Sequence, residues 1–355
     1  MGGAEKMVTG LADALVAKGH EVCIVFLTGT AAVLPAEAKI RVISLGIVSN
    51  IHVVNGFIKL NRLIRKFQPD VVHSHMVHAN IFTRLVRLIT PMARLISTAH
   101  NTNEGGRLRM WAYRLTDSLA DLSTNVSAEA VAAFVACGAV AQGRMIAVPN
   151  GIDTARFALN NIAGEVVRLR MNVAPEVKVI LAVGRLTQAK DYPNLLNAYC
   201  TIDNIVVKTQ LWIVGDGELH TELQNSVCLL NLNDRVKFLG VRHDVPDLMS
   251  AADVFVLPSA WEGFGLVVAE AMACERVVVA TDCGGVKEVL GNAGYLVKPQ
   301  DAKALAIALK AALQLPEDAR VAMGHAARKW VVEQYSLDIA VERWLQIYAG
   351  QIKVG

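Results

Sequence analysis

The chain has 355 residues, is 53% hydrophobic and 19% charged, and carries a formal net charge of +3. That composition supplies apolar material for two ordinary cores and excludes an intrinsically disordered chain. The charge is uneven: residues 1–150 hold 15 Lys/Arg against 9 Asp/Glu, and the remainder holds 20 against 23. A basic first half suits an anionic substrate or an anionic membrane surface, and no nucleic-acid motif accompanies it. The six cysteines lack C-x-x-C spacing and read as small buried residues of a reducing compartment. No signal peptide stands at the start, and the long uncharged run between Arg41 and Lys59 is too broken by Ser44, Ser49, Asn50, His52 and Asn55 to span a membrane.

In chain order, the pair Gly2–Gly3 runs straight into a helix over 5–18, with Met7, Val8, Leu11, Leu15 and Val16 at helical spacing. Strands are expected at 21–27, 41–46, 70–75, 94–100, 122–127 and 145–150, then at 177–184, 210–217, 235–240, 253–259, 276–282 and 294–299. Amphipathic helical stretches lie between many of them. Apolar β-branched runs alternating with helices predict parallel sheets covered on both faces, and two such series predict two doubly wound α/β domains. The first covers 1–160 and the second 161–336, and the last helix, about 337–348, crosses back to the first. Ligands of open α/β sheets bind beyond the carboxyl ends of the strands. Here those exits carry "STAHN", "VGRLTQAKDYPN", "VGDGE", "LPSAWEGFGLVVAEAM" and "TDCGGVKE". Two such rims suggest a ligand in a cleft that the domains face.

In "SAWEGFGLVVAEAMA" (259–273), Gly263 and Gly265 let backbone approach a ligand at a helix start, where free N–H groups can donate to phosphate or sugar oxygens. Glu262 stands before that helix and Glu270 about two turns within it, so the two acids can bracket a hydroxyl-rich ligand; an ordinary exposed Glu pair is the plainer alternative. In "VGRLTQAKDYPNLL" (183–196), Arg185 and Lys190 follow a strand and can converge on a diphosphate, although a solvated basic loop fits equally; no Walker loop is present. His73, His75 and His78 have no acidic or cysteine partner beside them and read as strand-end histidines rather than metal ligands. "GFIKLNRLIRKF" (56–67) is basic and amphipathic: a solvated Rossmann helix, or a helix docking on an anionic leaflet through Arg62, Arg65 and Lys66.

"GGAEKMV", "VPNGID", "VGRL", "VGDGE", "LPSAWEGFGLVVAEAMA" and "TDCGGVKEV" fall in family order over nearly the whole chain. Together they resemble the retaining family-4 glycosyltransferases of the two-Rossmann GT-B fold, of the kind that build O-antigen, capsule and exopolysaccharide. The spacing of Glu262 and Glu270 matches the E-x7-E signature of that family. The resemblance implies that Glu270 takes the ribose hydroxyls of a sugar nucleotide and that Glu262 faces the donor sugar. It implies that the backbone of Phe264, Gly265 and Leu266 lies near sugar and diphosphate, and that Arg185 and Lys190, with Gly184, hold the diphosphate. His100 matches a histidine near the reaction centre, and Gly2 and Gly3 match a glycine turn beside the donor diphosphate. Family members have a strand before that turn, so the first strand of the first domain is expected to be missing and the sequence to begin late by roughly ten residues.

On this resemblance the chain is expected to be a metal-independent retaining enzyme without a cofactor. It would move a hexose or N-acetylhexosamine from a nucleotide sugar, UDP-linked, to a polyprenyl-diphosphate-linked glycan. The setting would be the cytoplasm, peripheral on the inner face of the membrane. A GT-B nucleotide-sugar epimerase and an inactive sugar-nucleotide-binding protein remain the alternatives.

Overall fold

The computed structural model describes residues 3–31, 33–202 and 208–352. Contacts divide the chain into one unit of residues 1–151 and 337–355 and a second of residues 152–336.

The second unit is the more regular. Its strands are β7 (Lys178–Val183), β8 (Thr209–Val214), β9 (Val236–Gly240), β10 (Val254–Leu257), β11 (Val277–Thr281) and β12 (Tyr295–Val297). They form one parallel sheet in the order β12-β11-β10-β7-β8-β9. The central strands read as unbroken apolar runs, "VFVL" and "VVVAT", and every residue of both is buried, as a sheet covered on both faces requires. One face packs Leu195, Leu196, Tyr199, Leu305 and Leu309 into a large core cluster. The sheet reverses direction between β7 and β10, the first and fourth strands of the unit. That reversal is the switch point where an open α/β sheet leaves a crevice.

The first unit runs α1 (Gly3–Ala17), β1 (Cys23–Phe26), β2 (Arg41–Ser44), α2 (Asn50–Phe67), β3 (Val72–His75), α3 (Val77–Val86), β4 (Leu95–Ala99), α4 (Arg107–Thr116), β5 (Leu122–Asn125), α5 (Ala128–Ala136) and β6 (Met145–Ala147). All its strand pairs are parallel. With these, all twelve expected strands are present, most of them shorter than expected and β8 starting one residue earlier, at Thr209. Here the strands fall into two sheets, β1-β2 and β3-β4-β5-β6, and among the described residues no ladder joins β1 to β3. Both pieces nevertheless share cores: Val25 and Val72 pack with Leu60 and Ile64 of α2, and Val22 and Val71 pack with Met7, Leu11 and Leu15 of α1.

The segment from residue 337 returns to this unit as α14 (Leu337–Tyr348), which packs on α1, with Val341, Trp344 and Ile347 in the shared core. Gly151 permits that return, because a Cβ there would lie 2.7 Å from the Ala340 methyl and 3.0 Å from the Leu337 Cα. Alongside its apolar cores the first unit carries a polar one. Arg84 of α3 is wholly buried and donates to the hydroxyls of Ser97 (3.2 Å), Thr116 (3.3 Å) and Ser123 (2.9 Å), with Asp117 at 3.5 Å. Ser123 in turn donates to Asp117 at 2.5 Å, and Arg144 closes on the same carboxylate at 3.2 Å. The Ser/Thr-rich strands "LISTA" and "LSTN" can be buried because this network satisfies Ser97 and Ser123, while the Thr98 and Thr124 hydroxyls pair at 2.6 Å.

Candidate functional site

In the second unit the candidate residues gather at the switch point. β7 ends at Val183 and delivers Gly184, Arg185 and, after a single 3-10 turn, Lys190. β10 ends at Leu257 and delivers Ser259, Glu262 and the glycines. The two exits are tied by the Ala260 N–H, which donates to the Ala189 carbonyl at 2.9 Å. Across them the Lys190 ammonium closes on the Glu262 carboxylate, both side chains being largely buried. The Ser259 hydroxyl donates to the same Glu262 oxygen at 2.7 Å. Ser259 is itself fixed from β11, because the Thr281 hydroxyl donates to its carbonyl at 2.6 Å. A cation, a carboxylate and a hydroxyl thus converge at one point and can exchange partners with a polar ligand.

Glycines make this approach possible. Gly215, after β8, has φ +134°, and a Cβ there would sit 2.0 Å from the Gly184 carbonyl oxygen. Gly284 has φ +56°, and a Cβ there would sit 2.0 Å from the Glu262 carbonyl oxygen. Gly265, at φ +84°, caps the helix α10 (Leu266–Ala273), whose first N–H groups open toward the β10 exit. Phe264 is buried edge-on against Tyr335, centroids 5.6 Å apart, which fixes the loop carrying Glu262. Glu270 is buried within α10 and Arg185 is exposed at the β7 exit. The structure therefore brings Lys190, Glu262, Gly184 and Gly265 to one rim, with Leu266 and Glu270 on the helix that leaves it.

Ser259 and Gly284 escape sequence reasoning. The only signal for Ser259 is its place three residues before Glu262, and for Gly284 the pair "GG" after a strand.

In the first unit His100 ends β4, and its Nε2 lies 3.2 Å from Nδ1 of His75 at the end of β3. The His75 ring lies against that of His73, centroids 3.9 Å apart and tilted by 39°. His73 is held by the Tyr348 hydroxyl and by the Thr98 hydroxyl, each at 2.7 Å. Burial pushes His73 down to about 3 and His100 down to about 4, and holds His75 well below the usual imidazole range, so all three are neutral near pH 7. The main chain N–H of His100 donates to the Glu104 carboxylate at 3.3 Å, and burial raises the pKa of Glu104. His78 lies apart, exposed on α3, and among the described residues no group of three His, Cys, Asp or Glu is placed to hold a metal ion. Gly3 is the exposed first residue of α1, and Gly2 lies outside the described residues.

Residues 1–156 match the family described as Glycosyltransferase Family 4, and residues 170–330 match Glycosyl transferases group 1. Alpha-maltose-1-phosphate synthase of Mycolicibacterium smegmatis is 30% identical over 322 residues, 81% of this chain and 81% of that protein. The UDP-Gal:alpha-D-GlcNAc-diphosphoundecaprenol alpha-1,3-galactosyltransferase of Escherichia coli is 27% identical over 270 residues, 72% of this chain and 69% of that protein. Among solved structures, Anabaena HepE in complex with UDP superposes with a TM-score of 0.86 at 22% identity, covering 98% of this chain and 96% of that one. Two parallel α/β units, a polar cluster at a switch point and these likenesses agree: the chain belongs to the family-4 glycosyltransferases of the GT-B fold.

Proposed function

We propose that the protein is a retaining glycosyltransferase that moves a hexose or N-acetylhexosamine from a UDP-sugar to a polyprenyl-diphosphate-linked glycan, at the cytoplasmic face of a membrane where envelope polysaccharide is assembled. The observation that carries this reading is the convergence of Lys190, Glu262 and Ser259 at the switch point of the second unit. A diphosphate entering there would draw the Lys190 ammonium from Glu262, with Arg185 as second cation. The released carboxylate would then be available to the hydroxyls of the donor sugar. Glu270 would take the ribose hydroxyls, and the N–H groups at the start of α10 would face the sugar and diphosphate. The E. coli relative's name states a UDP-Gal donor and a diphosphoundecaprenol-linked acceptor, and HepE has been solved with UDP-glucose, which supports a UDP-sugar and a lipid-linked acceptor.

Charge developing on the departing diphosphate would be stabilised by Arg185 and Lys190, so the reaction would need neither metal nor cofactor. The acceptor hydroxyl would attack from the face that the diphosphate leaves, and the leaving phosphate oxygen would take its proton. Glu262 would orient the sugar rather than attack it. His100, neutral at pH 7, would offer a hydrogen bond near the reacting carbon.

The test is a panel of UDP, UDP-hexoses, UDP-N-acetylhexosamines, GDP-mannose and ADP-glucose, read by thermal shift, followed by transfer to a synthetic polyprenyl-diphosphate glycan. Stabilisation by one UDP-sugar beyond UDP alone, with an NMR-assigned product of unchanged anomeric configuration in the presence of EDTA, is expected. An inverted product, a covalent sugar adduct on Glu262, or turnover lost with EDTA would refute the mechanism. Interconversion of free donors without transfer would favour an epimerase.

A further inference from the structure

α4 carries apolar side chains on two opposite faces. Met110 and Tyr113 turn inward and pack with Phe134 and Met145. On the opposite side Leu108, Trp111 and Leu115 are 85%, 61% and 59% exposed. At 100° per residue these three side chains share one narrow stripe directly opposite the buried face. Arg107 and Arg114, seven residues apart, run along one border of that stripe and are exposed. No acidic residue stands between Gly105 and Thr116, and Asp117, which follows, is buried beneath Arg84 and Arg144. An ordinary surface helix would carry polar side chains on this face. Three large apolar side chains in register, one of them a tryptophan, do not arise from scattered surface hydrophobics.

We propose that the outer face of α4 is a docking surface for an anionic lipid bilayer, with Leu108, Trp111 and Leu115 entering the headgroup–acyl boundary and Arg107 and Arg114 pairing with anionic headgroups. Charge complementarity selects this occupant. An apolar stripe bordered by cations and free of acids is what an in-plane interfacial helix presents, and an amphipathic tryptophan is favoured at that depth. A protein partner would need acidic rims to meet the same arginines.

α2, the helix whose sequence suggests docking, is less suited. Its Leu60 and Ile64 are buried in the core beside Phe57. Lys59 donates to the Leu45 carbonyl and Arg65 to Asn61 and to the Ile89 carbonyl. Its exposed apolar residues, Ile51, Val54 and Ile58, sit in the half that precedes the cations.

The inference rests on the membrane setting proposed above and is tested without donor or acceptor, so its failure leaves the proposed transfer reaction itself untouched. The full chain is co-sedimented with vesicles of phosphatidylglycerol mixed with phosphatidylcholine, and with phosphatidylcholine alone. Binding to the anionic vesicles, weakened by salt, is expected. Trp111→Ser alone, and Leu108→Ser with Trp111→Ser and Leu115→Ser, should abolish it while melting as the unaltered protein does, because these side chains leave the core untouched. Arg107→Gln with Arg114→Gln should weaken binding roughly thirtyfold, whereas Arg62→Gln with Lys66→Gln on α2 should leave it unchanged. Native protein that ignores anionic vesicles, or a triple variant that still binds them, overturns the proposal. So does a dimer in analytical ultracentrifugation that Trp111→Ser dissolves, since the face would then be a protein interface.

Discussion

The three histidines at the ends of β3 and β4 make the first unit sensitive to acid, and the size of the effect follows from their surroundings. His73 is lowered to about 3 by burial and by the neighbouring His100, His100 is lowered to about 4 by burial, and His75 is held well below its ordinary value by burial and by both neighbours. In the unfolded chain each titrates near 6.5. The folded state therefore binds fewer protons, and these groups lower stability as pH falls from about 6.5 toward the folded values. At pH 5 a neutral His73 and a neutral His100 each cost about 2 kcal/mol relative to an unfolded chain free to protonate them. His75 acts in the same direction, and the first two alone approach the lower end of a typical domain's stability. Glu104 acts in the opposite sense: burial raises its folded pKa, so acidification favours the fold and offsets part of the loss. Tyr348, the hydroxyl partner of His73, is raised by burial and stays protonated across this range.

The assay is urea unfolding at a series of pH values between 7.5 and 5, followed through Trp344, whose ring lies 4.5 Å from that of His73. Over the steep part the slope should approach about 3 kcal/mol per pH unit, the response of the two protons that His73 and His100 take up on unfolding, with His75 adding in the same direction. His75→Asn, which keeps a polar partner for His100, should make it shallower. Stability that is flat from pH 7.5 to 5, or a His75→Asn slope equal to the native one, refutes the reasoning.

Gly284→Ala should weaken UDP-sugar affinity at least tenfold by calorimetry, since its Cβ would meet the Glu262 carbonyl at 2.0 Å and the backbone holds φ +56°; unchanged affinity would show that this turn does not shape the site. Glu270→Ala should cost about 1.5–3 kcal/mol of UDP affinity, the worth of hydrogen bonds to a charged group, and should leave the discrimination between donor sugars intact; a change in sugar preference instead would reassign it. Arg84→Met should lower stability by about 3–5 kcal/mol, because it leaves buried hydroxyls without a donor and strips a cation from Asp117, with a fall in Tm on the order of 10 °C; a variant as stable as the native protein would mean that the polar core relaxes around a hydrophobe.

The strands were legible because each is a short apolar β-branched run between helical patterns, a local signal. The pairing order was legible only through the resemblance, since nothing local in "VILAV" and "VFVL" says that β7 and β10 are neighbours. Of the two readings of α2, its covered apolar face fits the solvated Rossmann helix, and the sequence alone could not choose for a physical reason. Periodicity reports that a helix has an apolar face but not whether a core exists to cover it, and the face of Leu60 and Ile64 is covered. The same limit hid α4. "RLRMWAYRLT" has apolar residues on two faces, Met110 and Tyr113 on one and Leu108, Trp111 and Leu115 on the other, so it gives no single stripe until a neighbouring core chooses one.

At the candidate site the sequence could name charges but not their state. Lys190 and Glu262 are 72 residues apart in the chain, and both were expected to face a ligand. In the structure they face each other, and Ser259 and Gly284 set that meeting: one donates to the Glu262 carboxylate, and the other makes room for its carbonyl. The pairing keeps two partly desolvated charges satisfied while no diphosphate is bound, which matters because an uncompensated buried charge costs several kcal/mol. A ligand that replaces the partner of Lys190 must also supply hydroxyls to Glu262, and a sugar nucleotide offers both groups in one molecule. Bare UDP offers the diphosphate without the donor-sugar hydroxyls. On the proposed reading the arrangement would therefore favour the complete donor over its hydrolysed product. Glu262→Gln, which removes the competing charge, should narrow the gap in affinity between UDP and UDP-sugar; a gap that stays as wide would show that the ion pair plays no part in choosing the ligand.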